Sequence, residues 1–164
     1  MKRRTFLAGT VTALVGVSGC TSSLDSSLFS SSTPLNNYEM KVFQPGSEQY
    51  ENSPPVTEPP VVEFDTDSNT ITVSGSFFVG SSDCNIAVVK KVEYIKSSGK
   101  LDIMVGSGTK ENTGNTCYGD ESADAYQLIV DFDDSLPKTV TATEGEDADS
   151  HTTTVKKQNQ SSSS

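Results

Sequence analysis

Thr70-Ile71-Thr72-Val73-Ser74-Gly75-Ser76-Phe77-Phe78-Val79 is the stretch that decides the fold class of this 164-residue chain. Ile71, Val73, Phe77 and Val79 fall on one face, and Thr72, Ser74 and Ser76 fall on the other. A period of two describes a strand with one side in a core and one side in water. Upstream, Val61–Phe64 is a second strand-like run, separated from the first by Asp65-Thr66-Asp67-Ser68-Asn69. Those five residues are turn formers, so the two runs read as a hairpin. Downstream, Tyr126, Leu128, Val130 and Phe132 alternate as strictly.

The remaining apolar segments fit the same pattern. Ile86–Lys96 is strand-like, with an alternation that slips at Lys90-Lys91, where a bulge is expected. Ser97-Ser98-Gly99 turns the chain into Leu101–Val105, whose odd positions face inward. Gly106–Ser122 reads as a loop, Leu136-Pro137 as a corner, and Thr139–Thr143 as a last strand with Val140 and Ala142 inward. No segment has the 3.6-residue period of an amphipathic helix. The expected fold is therefore all-β: a small antiparallel β-sandwich, Ig-like or an open barrel, over residues 60–144.

The N-terminus carries a different signal. Lys2-Arg3-Arg4-Thr5-Phe6-Leu7 opens an apolar run that ends at Val17. That run is about 12 residues, too short for the ~20 needed to cross a bilayer as a helix. Residues 1–19 thus read as a cleaved signal peptide, and Arg3 and Arg4 before Phe-Leu mark the twin-arginine export route. Val17-Ser18-Gly19-Cys20 has the form of a lipobox, an aliphatic residue and two small ones before a thiol that accepts lipid. Cys20 is the expected lipidation site, which places the protein on the extracytoplasmic face of the cell membrane. With Cys20 so assigned, Cys84 and Cys117 remain as an even pair in an oxidising compartment, where a disulfide is the default.

Residues 20–59 are rich in Ser and Pro and read as a tether. About 40 flexible residues reach roughly 35 Å on average. Tyr38, Met40, Val42 and Phe43 interrupt the tether, so a short strand over Glu39–Phe43 is possible within it. Residues 145–164 read as an acidic and polar disordered tail, with a glycosylation sequon at Asn159-Gln160-Ser161.

Composition limits the partners. The whole chain carries a net charge of −10, and all 22 acidic residues lie after the signal. With Lys2, Arg3 and Arg4 removed, nine lysines face those 22 acids, a net −13 for the mature chain. Nucleic acid and anionic lipid headgroups need clustered Lys or Arg, so neither is expected as a partner. Dispersed carboxylates suit concentrated salt, where the screening length is only ~3 Å at 1 M.

Val79-Gly80-Ser81-Ser82-Asp83-Cys84-Asn85, Ala87, Val92-Glu93-Tyr94 and Leu101–Val105 are followed by Cys117, Ala125-Tyr126-Gln127-Leu128, Phe132 and Leu136-Pro137. Across roughly residues 60–144 this order resembles a group of small secreted lipoproteins of halophilic archaea. The resemblance implies a halophilic source and a disulfide. It carries no catalytic residue with it.

Candidate chemistry is sparse. Nucleophilic catalysis needs a base beside the nucleophile, and the one histidine, His151, falls in the polar tail. Asp65-x-Asp67-x-Asn69 begins like a calcium loop, but an EF-hand needs Gly and Glu where Thr70 and Ser76 stand. A looser cation site there competes with plain turn chemistry. Asp131, Asp133 and Asp134, with Glu144, Glu146, Asp147 and Asp149, could in principle supply the paired carboxylates of glycoside hydrolysis. With no Trp to stack a sugar, they read as a solvated acidic surface instead. Cys84 and Cys117 lack the further ligands that a thiolate metal site requires.

These features point to a non-catalytic, membrane-anchored module with no catalytic, cofactor-binding or metal-binding residue assigned. Its expected partners are the membrane, through lipid on Cys20, and an envelope protein. The second possibility is a lipoprotein that holds a small ligand or divalent cation for a transporter or enzyme. An ~85-residue sandwich leaves little room for the concave pocket such binding uses.

Overall fold

The computed structural model describes residues 34–51, 53–111, 117, 119–145 and 149–158. Arg3, Arg4, Cys20 and the Asn159 sequon lie outside the described residues. Eight strands run in order: β1 (Leu35–Phe43), β2 (Val61–Asp65), β3 (Thr70–Gly80), β4 (Asn85–Ile95), β5 (Lys100–Thr109), β6 (Ser122–Phe132), β7 (Thr139–Glu144) and β8 (His151–Lys156). They form two four-stranded sheets, β1-β6-β3-β2 and β4-β5-β7-β8, facing each other as a sandwich with no closed barrel.

The alternating residues meet between the sheets. Ile71 and Val73 from β3 and Leu128 and Val130 from β6 are fully buried, as are Leu101 and Val105 from β5 and Val140 from β7. Each such side chain contributes roughly 1.5–3 kcal/mol relative to exposure. The β2–β3 hairpin forms as the pattern requires, with Asp65 opposite Thr70. Asn69, at φ 55°, takes the left-handed backbone that closes the turn, a conformation Asn tolerates better than most residues. The β4–β5 register slips between Val89 and Lys91, which places the bulge at Lys90.

Three expectations change. The segment assigned to the tether contributes all of β1, which pairs with β6 from Leu35↔Phe132 to Phe43↔Ala125. Its inner residues Tyr38, Met40 and Val42 are only half-buried, as suits an edge strand, so its pattern is weak. The segment assigned to the disordered tail contributes β8, which pairs with β7 throughout. β8 has one apolar residue, Val155, and is held by its ladder and by Thr141–Thr154 and Thr143–Thr152 hydroxyl contacts of 3.1 and 3.0 Å.

The third change concerns direction. β5 and β7 are parallel, while every other pair is antiparallel. Between them the chain crosses to the opposite sheet as β6 and returns. Two reversals restore the original direction, and β6 serves as the crossover that a parallel pair needs.

Candidate functional site

The two ends of the sandwich differ in how they are closed. One end holds the Asp65–Asn69 and Lys96–Gly99 turns and the Leu136-Pro137 corner. There the Phe132 amide donates to the Asn69 carbonyl at 3.0 Å, and the Lys138 amide donates to the Gly99 carbonyl at 2.7 Å. The Tyr94 and Phe132 rings meet edge to face at 5.9 Å, and Leu136 and Pro137 are buried.

At this end the sequence-level cation candidate resolves into a turn. One carboxylate oxygen of Asp65 accepts the Asp67 and Ser68 amides at 2.9 and 3.1 Å. These amides, with the Ser68 backbone interaction foremost, hold the Asp65 carboxyl below its ordinary range. No group of three or more His, Cys, Asp or Glu able to hold a metal occurs among the described residues.

The opposite end is held by specific cross-links. Cys84 and Cys117 form a disulfide with their Cα atoms 5.7 Å apart. Ser81 accepts the Cys84 and Asn85 amides at 3.1 and 2.8 Å through its carbonyl. Asp120 accepts from the Ser82 hydroxyl at 2.6 Å and the Ser81 hydroxyl at 3.2 Å, donors that lower its carboxyl pKa. The Lys110 ammonium donates to the Ser82 carbonyl at 2.6 Å. Two further bonds join the sheets. Ser107 donates its hydroxyl to the Val79 carbonyl at 2.6 Å, and the Ala87 amide donates to the Asp124 carboxylate at 2.8 Å.

Beside these links the sheets part around a half-open cleft of about 660 Å³. Phe77, Phe78 and Val79 of β3 and Val56 from the β1–β2 connection give it apolar walls. Asn85, Ser107, Glu121, Asp149 and His151 give it polar ones. Phe78 is 53% exposed, held out in water by the alternation that buries Phe77 and Val79 on either side.

Behind the cleft lies a buried carboxyl group. Glu144 follows Val140 and Ala142 on the inner face of β7 and is fully buried. Its carboxylate lies against the Cα of Gly75, and a Cβ there would overlap both Glu144 Oε2 and the Tyr126 ring. Neither Glu144 oxygen, nor the Tyr126 hydroxyl, nor Ser76 Oγ has a hydrogen-bond partner of good geometry. Burial pushes the Glu144 carboxyl up to about 7, with the nearby Tyr126 hydroxyl and the Ser76 backbone drawing it partly back. Burial, and then the Glu144 charge, raise the Tyr126 phenol in turn, so it stays protonated.

Two residues assigned to a solvated exit or tail are therefore structural neighbours. Glu144 is interior rather than solvated, and His151, its cross-strand partner, is half-buried on the cleft wall. Glu146 and Asp147 lie outside the described residues. Asp133 and Asp134 are exposed at the far end, so they form no carboxylate pair with Glu144. The signal for Glu144 was present as a period-two continuation of Val140 and Ala142, matched by a gap at Gly75 in the inner face of β3. The chain matches no protein-family model, no curated protein and no solved structure.

Proposed function

We propose that this protein is a lipoprotein anchored at the extracytoplasmic face of the cell membrane through Cys20, and that its sandwich is a non-catalytic module for interaction or envelope structure. The observation that carries the anchor is the thiol count. Cys84 and Cys117 are joined, which fits an oxidising compartment and leaves Cys20, inside Val17-Ser18-Gly19-Cys20, as the odd thiol. No helix among the described residues is long and apolar enough to cross a membrane. A lipid on Cys20 gives attachment without a span.

Mass spectrometry of the membrane fraction should find lipid on Cys20, and Cys20→Ser should leave the chain uncleaved or released into the medium. An unmodified Cys20 in membranes overturns the anchor. Crosslinking in intact cells, with the anchored sandwich as bait, tests the interaction role. Recovery of the uncrosslinked chain alone counts against it.

A second function is favoured by one specific observation, the cleft. Its volume falls within the ~300–1,000 Å³ typical of small-ligand sites. That supports ligand capture for a transporter or enzyme. The divalent-cation form of that function is weaker at Asp65, whose bonded oxygen already serves the turn amides.

A further inference from the structure

We infer that the cleft at the disulfide end takes a small organic cation, a primary ammonium or guanidinium group joined to a short apolar body. The inference rests on the ligand-binding function and specifies its ligand class. Charge, hydrogen-bonding capacity and shape point the same way.

Glu121 and Asp149 are carboxylates on the polar wall, and no lysine lines the cleft. Carboxylates only accept hydrogen bonds. Asn85 adds a third acceptor, because its amide nitrogen already donates to Ser107 Oγ at 3.3 Å and leaves the amide oxygen free to accept. Ser107 uses its own proton on the Val79 carbonyl. The polar wall is therefore acceptor-rich, and an ammonium or guanidinium offers several donors with a compensating charge.

The apolar side has a matching shape. Phe77, Val79 and Val56 give a floor, and Phe78 stands at the opening with half its surface in water. An aliphatic or aromatic body would cover that ring, and a cation near its face gains further attraction.

Glu144 supplies an independent observation. It precedes Gly145 and pairs with His151, both on the cleft wall, and its carboxylate touches Gly75, two residues before Phe77. Its two buried oxygens have no partner in the chain. A cation in the cleft would sit one layer away from this uncompensated acid.

Three probes of one shape separate the outcomes: phenethylammonium, 2-phenylethanol and 3-phenylpropionate. Each is titrated into the purified, disulfide-bonded chain, with the amide resonances of Gly80, Asn85, Ser107 and Gly145 followed by NMR. The cation alone should give saturable shifts. Glu121→Gln with Asp149→Asn should weaken it about tenfold, and Phe78→Ala should weaken it in the wild-type charge background. Equal responses to all three probes, or a cation response unchanged in the double variant, overturn the cation inference and leave a ligand cleft in place. No response at these residues from any probe overturns both the inference and the ligand-binding function.

Discussion

The two ends of this sandwich carry the same kind of strand and yet do different work. At the Asp65 end, short turns bring strands back at once and Leu136, Phe132 and Tyr94 fill the space between the sheets. Polar groups there are served by their own turns, as Asp65 serves Asp67 and Ser68. At the disulfide end the connections are longer, a cleft opens, and a carboxyl group sits unpartnered in the interior. A strand end plugged by side chains leaves no room for a ligand. A strand end spread by long connections needs cross-links to stay defined, and this one has a disulfide and two inter-sheet hydrogen bonds. Functional freedom and structural reinforcement are found together, at the same end.

The largest expected effect tests that reinforcement. The Cys84–Cys117 bond spans 33 residues, a loop whose closure is worth roughly 3–4 kcal/mol in the chain-entropy account. Small domains have only ~5–15 kcal/mol in total, so its loss should be plain in a melting curve. Cys84→Ala with Cys117→Ala should still fold, because the core does not include the bond, and should melt at clearly lower temperature. Two alkylatable thiols in the non-reduced, denatured wild type would show instead that this end is held without a disulfide.

A somewhat smaller effect follows from Glu144. An unperturbed Glu releases its proton near 4.5, and the folded protein holds that proton to about 7. The unfolded chain therefore loses the proton first as pH rises. Stability contributed by the protonated form is fully present below about 4.5 and is lost through about 7. The loss amounts to roughly 2–3 kcal/mol at ~1.4 kcal/mol per unit. Glu144→Gln keeps the shape without the titration, so at pH 8 it should be more stable than wild type and should show a flatter pH profile. Comparing the two proteins cancels the other carboxylates. A Gln variant no more stable than wild type at pH 8 would mean that Glu144 keeps its charge in the fold without penalty.

The smallest effect belongs to the plugged end. Asp65→Ala removes two side-chain acceptor contacts from an exposed turn while the Phe132–Asn69 and Lys138–Gly99 backbone bonds remain. Its melting temperature should drop by less than in the disulfide variant. A drop as large as that caused by removing the disulfide would show that the turn, and not the apolar plug, closes this end.

Much of the core was legible because alternation is a local property. Ile71, Val73, Leu101, Ile103, Leu128, Val130, Val140 and Ala142 all face inward as their sequence pattern requires. The Lys90 bulge was legible for the same reason, as a slip in that pattern. β1 and β8 were less so. Edge strands are half-buried, their apolar side is incomplete, and their stability comes from a partner distant in sequence. The cleft was harder still, since Glu121, Asp149, His151 and Phe78 come together only when both sheets are stacked.

By itself the sequence determined the all-β class, the inward face of the central strands, the turn at Asp65–Asn69 and the acidic surface, because each depends on neighbours in the chain. It also held the export and lipid signals of residues 1–20, which are read as linear segments. The tertiary structure decided which strands share a sheet, why β5 and β7 run parallel, and that Glu144 is interior. Those outcomes depend on pairings between residues far apart along the chain. A carboxyl group looks the same in sequence whether water or Gly75 and Tyr126 await it, and only packing the two sheets together settles its charge.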